Sequence, residues 1–130
     1  MDIVSNMLIQ IKNAGYASHD VVAIPYSKFK HAIANCLVEG GYIKKAQKVT
    51  GKGDREILEV ELIKKEDGSP RIENIVRVSK SSGRVYMSLH DLRPIRNGYG
   101  SRILSTPKGI LIDKVAKKEL VGGEVLFEIW

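Results

Sequence analysis

Five consecutive residues, Ser105-Thr106-Pro107-Lys108-Gly109, place two hydroxyls beside a ring-fixed backbone, a cation and a glycine. Short hydroxyl side chains donate and accept where a longer one would clash with a base or ribose. That suits the shallow minor groove of RNA and its 2′-hydroxyls. Alone, the string is also an ordinary turn. Its surroundings say more. Residues 71–108 carry Arg71, Arg77, Lys80, Arg84, Arg93, Arg96, Arg102 and Lys108 against only Glu73 and Asp91. Most of these cations are arginine, whose planar guanidinium forks onto phosphates and stacks on bases. Arg77, Lys80, Arg84 and Tyr86 together read as strand-borne charge with an aromatic platform for an unpaired base. The plainer reading is a solvated face with Tyr86 in the core.

A second basic string, Ser27-Lys28-Phe29-Lys30, reads as a helix start. Its free N–H groups, with Lys28 and Lys30, could hold a phosphate, or the lysines could simply be solvated. Catalysis finds little support. His19, His31 and His90 are scattered, Cys36 has no companion at metal-ligand spacing, and no carboxylate pair stands out. Gly51-Lys52-Gly53 lacks the strand–loop–helix setting of a phosphate loop and fits a hairpin turn.

These residues must be positioned by regular elements. Ile3, Val4, Met7, Leu8 and Ile11 share one helical face, with Asp2 as cap and Gly15 as stop. Residues 21–24 read as a short buried strand ended by Pro25. Ser27 caps a second helix whose inward residues are Phe29, Ile33, Cys36 and Leu37, ended by Gly40-Gly41. Residues 42–49 and 56–63 form a hairpin, with Leu58, Val60 and Leu62 alternating with Glu59 and Glu61. The turn Glu66-Asp67-Gly68-Ser69-Pro70 suggests subdomains at 1–66 and 67–130, with the main RNA surface in the second. There, 72–78 and 84–89 are strand-like, 91–95 a single helical turn, and 102–104 the start of another strand. Asp113 caps a short helix over 114–120, and Gly122-Gly123 leads into a last strand over 125–130. The fold class expected is α+β: an α-β-α-β-β N-terminal part, then a mainly antiparallel β part with a short helix.

Composition agrees. The chain has 130 residues, 43% hydrophobic, enough for one compact domain or two small ones. The net charge of +6 is uneven: residues 1–69 hold 10 basic and 9 acidic residues, and residues 70–130 hold 11 and 6. No apolar run approaches the ~20 residues that span a bilayer. The first six residues carry an acid and no basic cluster, unlike a secretory leader. A single cysteine, Cys36, fits a reducing compartment.

Read in order, Asp2…Met7-Leu8…Ile11-Lys12-Asn13, Ser27-Lys28-Phe29-Lys30, Arg77-Val78-Ser79-Lys80, Arg84-Val85-Tyr86, Gly98-Tyr99-Gly100, Ser105-Thr106-Pro107-Lys108-Gly109 and Gly122-Gly123-Glu124 resemble the bacterial form of the small-subunit ribosomal protein S-eight family. The resemblance runs from Asp2 to Trp130. It implies a structural protein without catalysis or cofactor, monomeric outside the ribosome and located in the small subunit in the cytoplasm or an organelle. It further implies binding to an irregular helix in the central domain of small-subunit ribosomal RNA, contact with neighbouring ribosomal proteins, help in assembling the platform, and in many bacterial members repression of the operon's own messenger RNA. By motif, Ser105 and Thr106 contact bases and ribose, Tyr86 packs on a base or sugar nearby, and Gly122, Gly123 and Glu124 complete that surface. Lys108, Arg84, Arg77 and Lys80 supply charge there, and Ser27, Lys28, Lys30, Lys12 and Asn13 add backbone contacts from the N-terminal part. The family's usual serine is Pro107 here, which removes a hydroxyl and an N–H. Two other classes compete: a DNA-binding regulator using the 27–39 helix, and a small hydrolase or transferase.

Overall fold

The structure, a computed structural model, describes residues 3–130 and divides them into two compact units, Ile3–Glu73 and Asn74–Trp130. The first contains α1 (Ile3–Tyr16), β1 (Val21–Pro25), α2 (Lys28–Glu39), β2 (Ile43–Thr50) and β3 (Glu56–Leu62). The second contains β4 (Ile75–Arg77), β5 (Tyr86–Met87), β6 (Ser101–Thr106), β7 (Gly109–Ile112), α3 (Asp113–Lys118) and β8 (Gly123–Ile129). The fold class is α+β, as the sequence suggests. The turn at 66–70 lies in the first unit, where Lys65 N donates to Ser69 O (2.8 Å) and Arg71 N to Ile63 O (3.0 Å).

In the first unit the sheet order is β1-β3-β2, all antiparallel. α1 buries Val4, Met7, Leu8 and Ile11, and α2 buries Ile33, Ala34, Cys36 and Leu37, with Ile24, Ile43, Leu58 and Val60 of the strands also in the core. Four expectations need correction. Ile3 is 59% exposed, because about 100° per residue puts it at the margin of the α1 stripe. Phe29 is 38% exposed, since it sits in the first turn of α2 ahead of the inward stripe. β1 is an outer strand with only Ile24 buried, not a buried strand. Gly15 does not stop α1 either. It lies inside the last turn, where a Cβ would come 3.3 Å from Pro70 Cβ. The Asp2 cap lies outside the described residues. The cap at Ser27 is present, its Oγ accepting from Lys30 N at 3.1 Å.

The second unit is a sheet in the order β4-β8-β6-β7, with β5 also on β8. β8 is the hub. Its pairing with β6 slips between Ile103 and Leu104, so Leu126 bulges. The strands expected over 72–78 and 84–89 shrink to three and two residues. Past Arg77, Val78 N and Ser79 N reach the carbonyls of Leu126 and Val125 irregularly, where β8 bulges. The helical turn expected at 91–95 does not form, because Pro94 disfavours helical backbone in the residue before it. Short 3-10 turns lie either side, at Leu89–Asp91 and Arg96–Gly98. β7 is an additional strand that the residue pattern did not announce. α3 covers one face of the sheet, over a core of Leu92, Leu104, Ala116 and Val125 flanked by Val78, Met87, Leu111 and Val121. On this side Arg102 is buried. It donates from its guanidinium to Arg93 O and lies 3.4 Å from Glu128. Burial pushes the Asp113 carboxyl above its usual range, opposed by the backbone N–H groups of Arg102 and Lys114.

The start of β8 fits between its neighbours only without side chains. A Cβ on Gly122 would overlap the Met87 carbonyl oxygen and lie 2.8 Å from Ser88 Cα. A Cβ on Gly123 would overlap the Ser105 carbonyl oxygen and lie 3.1 Å from Thr106 Cα. These neighbours are backbone, which cannot rotate aside. We expect Gly123→Ala to cost about 1–3 kcal/mol in urea unfolding, as overpacking does. Gly83→Ala, with nothing within 4 Å of the added carbon, should shift the midpoint little.

Candidate RNA-binding surface

Strand register assembles the C-terminal residues. Tyr86 of β5 is opposite Glu124 of β8, and Glu124 is opposite Ser105 of β6. Directly opposed residues in antiparallel strands point to the same face. Tyr86, Glu124 and Ser105 therefore form one transverse row. Tyr86 is 69% exposed. Arg84 joins the row through its guanidinium, 3.0 Å from the Glu124 carboxylate. Gly122 and Gly123 act by letting β8 close up, which sets the spacing of the row.

Ser105 and Thr106 are adjacent on β6 and so point to opposite faces. Ser105 lies in the row with Tyr86, and among the described residues its hydroxyl has no hydrogen-bond partner. Thr106 points to the α3 side and is engaged in its own turn. Its hydroxyl donates to Gly109 O at 2.7 Å and accepts from Lys108 N at 3.1 Å. Pro107 and Lys108 form a two-residue link, because Thr106 pairs with Gly109, whose φ is +112°. The string that reads as a loop is thus the tip of the β6–β7 hairpin. Lys108 turns back to the end of α3, its Nζ 3.1 Å from Glu119 O and 3.3 Å from the Glu119 carboxylate.

The other cations differ in availability. Arg77 donates from its guanidinium to Leu126 O at 2.6 Å, anchoring the β8 bulge. Lys80 sits at a tight turn, exchanging backbone bonds with Gly83 (2.9 and 3.0 Å), with its side chain exposed. Ser79, which residue types did not single out, closes the same turn. Its buried hydroxyl accepts from Val85 N at 2.9 Å and lies 3.2 Å from Val85 O, fixing the approach to Arg84 and Tyr86. Its place in the Arg77-Val78-Ser79-Lys80 string is the only sequence signal that could have found it.

The N-terminal residues are not all brought together. Lys28 and Lys30 lie in the first turn of α2 beyond the Ser27 cap. Lys30 lines a cleft of about 350 Å³ with Ile3, Asn6, Ile9 and Gln10 of α1. Asn13 continues that α1 stripe by helical spacing. Lys12 is on another flank, its Nζ 5.9 Å from the centre of the Tyr16 ring, and lines a separate small cavity with Gly15 and Pro70. Cys36 is buried among core residues. Among the described residues no group of His, Cys, Asp and Glu could hold a metal, and no helix is long and apolar enough to cross a membrane.

Comparison with known proteins places the chain. Residues 2–130 match the family described as Ribosomal protein S8. Proteins called small ribosomal subunit protein uS8 are similar over nearly their whole length. That of Caulobacter sp. (strain K31) is 44% identical over 99% of this chain and 97% of its own. That of Lawsonia intracellularis is 44% identical over 99% and 98%, and that of Geotalea uraniireducens 41% over 99% and 97%. This family is a structural constituent of the small ribosomal subunit and has no enzymatic role. A chain matched from its second residue to its last belongs to the ribosomal protein S8 family.

Proposed function

We propose that the Tyr86–Glu124–Ser105 row reads an irregular helix in the central domain of small-subunit ribosomal RNA. The observation that carries this reading is the row itself: an exposed ring, an acceptor-only carboxylate and a hydroxyl with no partner among the described residues, side by side on three strands. A ring can stack on an unpaired base. A carboxylate accepts from base amino groups or a 2′-hydroxyl, and a hydroxyl bonds either way. Thr106, Lys108, Gly122 and Gly123 hold the edge of this surface, and Arg84, Arg77 and Lys80 add positive charge beside it. Ser27, Lys28, Lys30, Lys12 and Asn13 contribute backbone contacts from the first unit. Affinity comes largely from phosphate neutralisation and discrimination from the row.

In this reading the protein is a monomer before it enters the ribosome. In the bacterial cytoplasm it binds its RNA, meets neighbouring ribosomal proteins and helps build the platform. A messenger RNA of its own operon that folds into a similar irregular helix would meet the same row and be repressed. Residues 67–130 carry the main RNA surface.

Filter binding to the central-domain hairpin and to a scrambled hairpin tests this. Ser105→Ala should lose about 1–3 kcal/mol for the matched hairpin only, the size of a good polar base contact, without changing the unfolding midpoint. Equal affinity of Ser105→Ala and wild type would sink the row assignment. Thr106→Ala should instead also lower stability, by about 1 kcal/mol, because it opens the turn. Tyr86→Phe should bind nearly as wild type, and Tyr86→Ala about 1–3 kcal/mol more weakly if the ring stacks on a base. Lys28→Ala should weaken matched and scrambled RNA alike and lower the salt slope by about 1.

A further inference from the structure

A second cationic surface lies in the C-terminal unit, on the α3 side of the sheet. Arg93, Lys114 and Lys117 line a shallow groove of about 100 Å³ with Leu92, Pro94, Gly98, Gly100 and Asp113. All three cations are exposed. Lys114 interacts electrostatically with the Asp113 carboxylate, whereas among the described residues Arg93 and Lys117 have no side-chain partner. Elsewhere Lys44, Lys48, Lys64, Lys65 and Lys108 each have a carboxylate within 3.5 Å. The one acid in the groove does not neutralise the three. Asp113 is buried, and its carboxylate accepts from Lys114 N at 2.9 Å.

The walls of the groove are held in place. Buried Arg102 binds the Arg93 carbonyl at 2.6 Å, which fixes the chain on one side. Arg96, Asn97 and Gly98 take successive positive φ values of 48°, 57° and 87°. Two of these are non-glycine residues in a region L-residues rarely occupy, a strain that tends to persist at working sites. The Arg96 guanidinium sits 3.6 Å from the centre of the Trp130 ring, which anchors that turn.

The groove is distinct from the row. It flanks the beginning of β6, whereas Ser105 is four residues on, about 13 Å at a strand's rise. It also opens on the α3 side, opposite the face of the row. We infer that Arg93, Lys114 and Lys117 form a phosphate clamp for a second segment of the ribosomal RNA, so that the C-terminal unit holds two RNA segments at once. Arginine's fork and two mobile ammonium groups fit the non-bridging oxygens of a sugar–phosphate backbone, and no base-reading ring or hydroxyl lines the groove. The inference rests on the RNA-binding reading above but concerns other residues.

The test compares two probes, the minimal central-domain hairpin and full-length small-subunit ribosomal RNA, across a salt series. The triple variant Arg93→Gln/Lys114→Gln/Lys117→Gln, with its fold checked by circular dichroism, should bind the minimal hairpin as wild type does. For full-length RNA it should bind about tenfold or more weakly, with a salt slope smaller by about 2–3. Hydroxyl-radical footprinting should show one protected backbone segment lost and the hairpin protection kept. Ser105→Ala should weaken both probes, which separates the two sites. Unchanged affinity and slope on full-length RNA would overturn the clamp and leave the row standing. Equal weakening on the hairpin would overturn it as a separate site. Retained RNA binding with lost binding of an acidic ribosomal protein would overturn it in favour of a protein contact. A wild type without preference for the hairpin would overturn both readings.

Discussion

The approach of three backbones at the start of β8 is the constraint on which the C-terminal unit depends. Gly122 lies against the main chain of Met87 and Ser88, and Gly123 against that of Ser105 and Thr106. Any side chain there would prise β5 and β6 away from β8. With both glycines in place, Glu124 stands between Tyr86 and Ser105, and three weakly informative residues become one surface. The glycines thus act through distance. Their contribution to the proposed surface is the register they permit, a role that no inventory of hydrogen-bond donors would assign to them.

The elements of the first unit were largely legible in its sequence, because helix and strand periods there are long enough to speak. Met7, Leu8 and Ile11, and Ile33 and Leu37, recur at helical spacing and are buried. Leu58 and Val60 alternate with glutamates that pair across to Gln47 and Lys44. In the second unit the strands are two to seven residues long, and a bulge at Leu126 breaks the alternation. Periodicity cannot register in a two-residue strand, and β7 hid behind a glycine and three apolar residues that could equally join a helix. The residues singled out for the site were sensible by type. What sequence could not supply was direction. Adjacent Ser105 and Thr106 face opposite ways, and only pairing with Glu124 and Gly109 reveals which hydroxyl is left for a ligand.

Positive charge likewise divides into two populations that composition merges. Arg77 and Arg102 point inward and tie down backbone carbonyls, and Lys108 leans on the end of α3. Their substitution would alter shape before it altered attraction. Among the described residues Lys28, Lys80, Arg93, Lys114 and Lys117 tie down no backbone carbonyl and remain as field. A buried arginine bonded to a carbonyl and an exposed lysine count equally in a net charge of +6, yet only the second kind releases counterions when a polyanion arrives.

The β6–β7 tip has a further consequence. Its hydroxyl is closed on both sides and its backbone is stiffened by Pro107, so little conformational entropy is left for it to lose on binding. In the proposed reading, such a preset edge beside the row acts as a mould. The burden of adjustment would then fall on the nucleic acid, which would have to settle to the tip's shape. Association would be paced by how often the RNA visits that arrangement, and a transcript that folds slowly would be captured late however attractive its phosphates are.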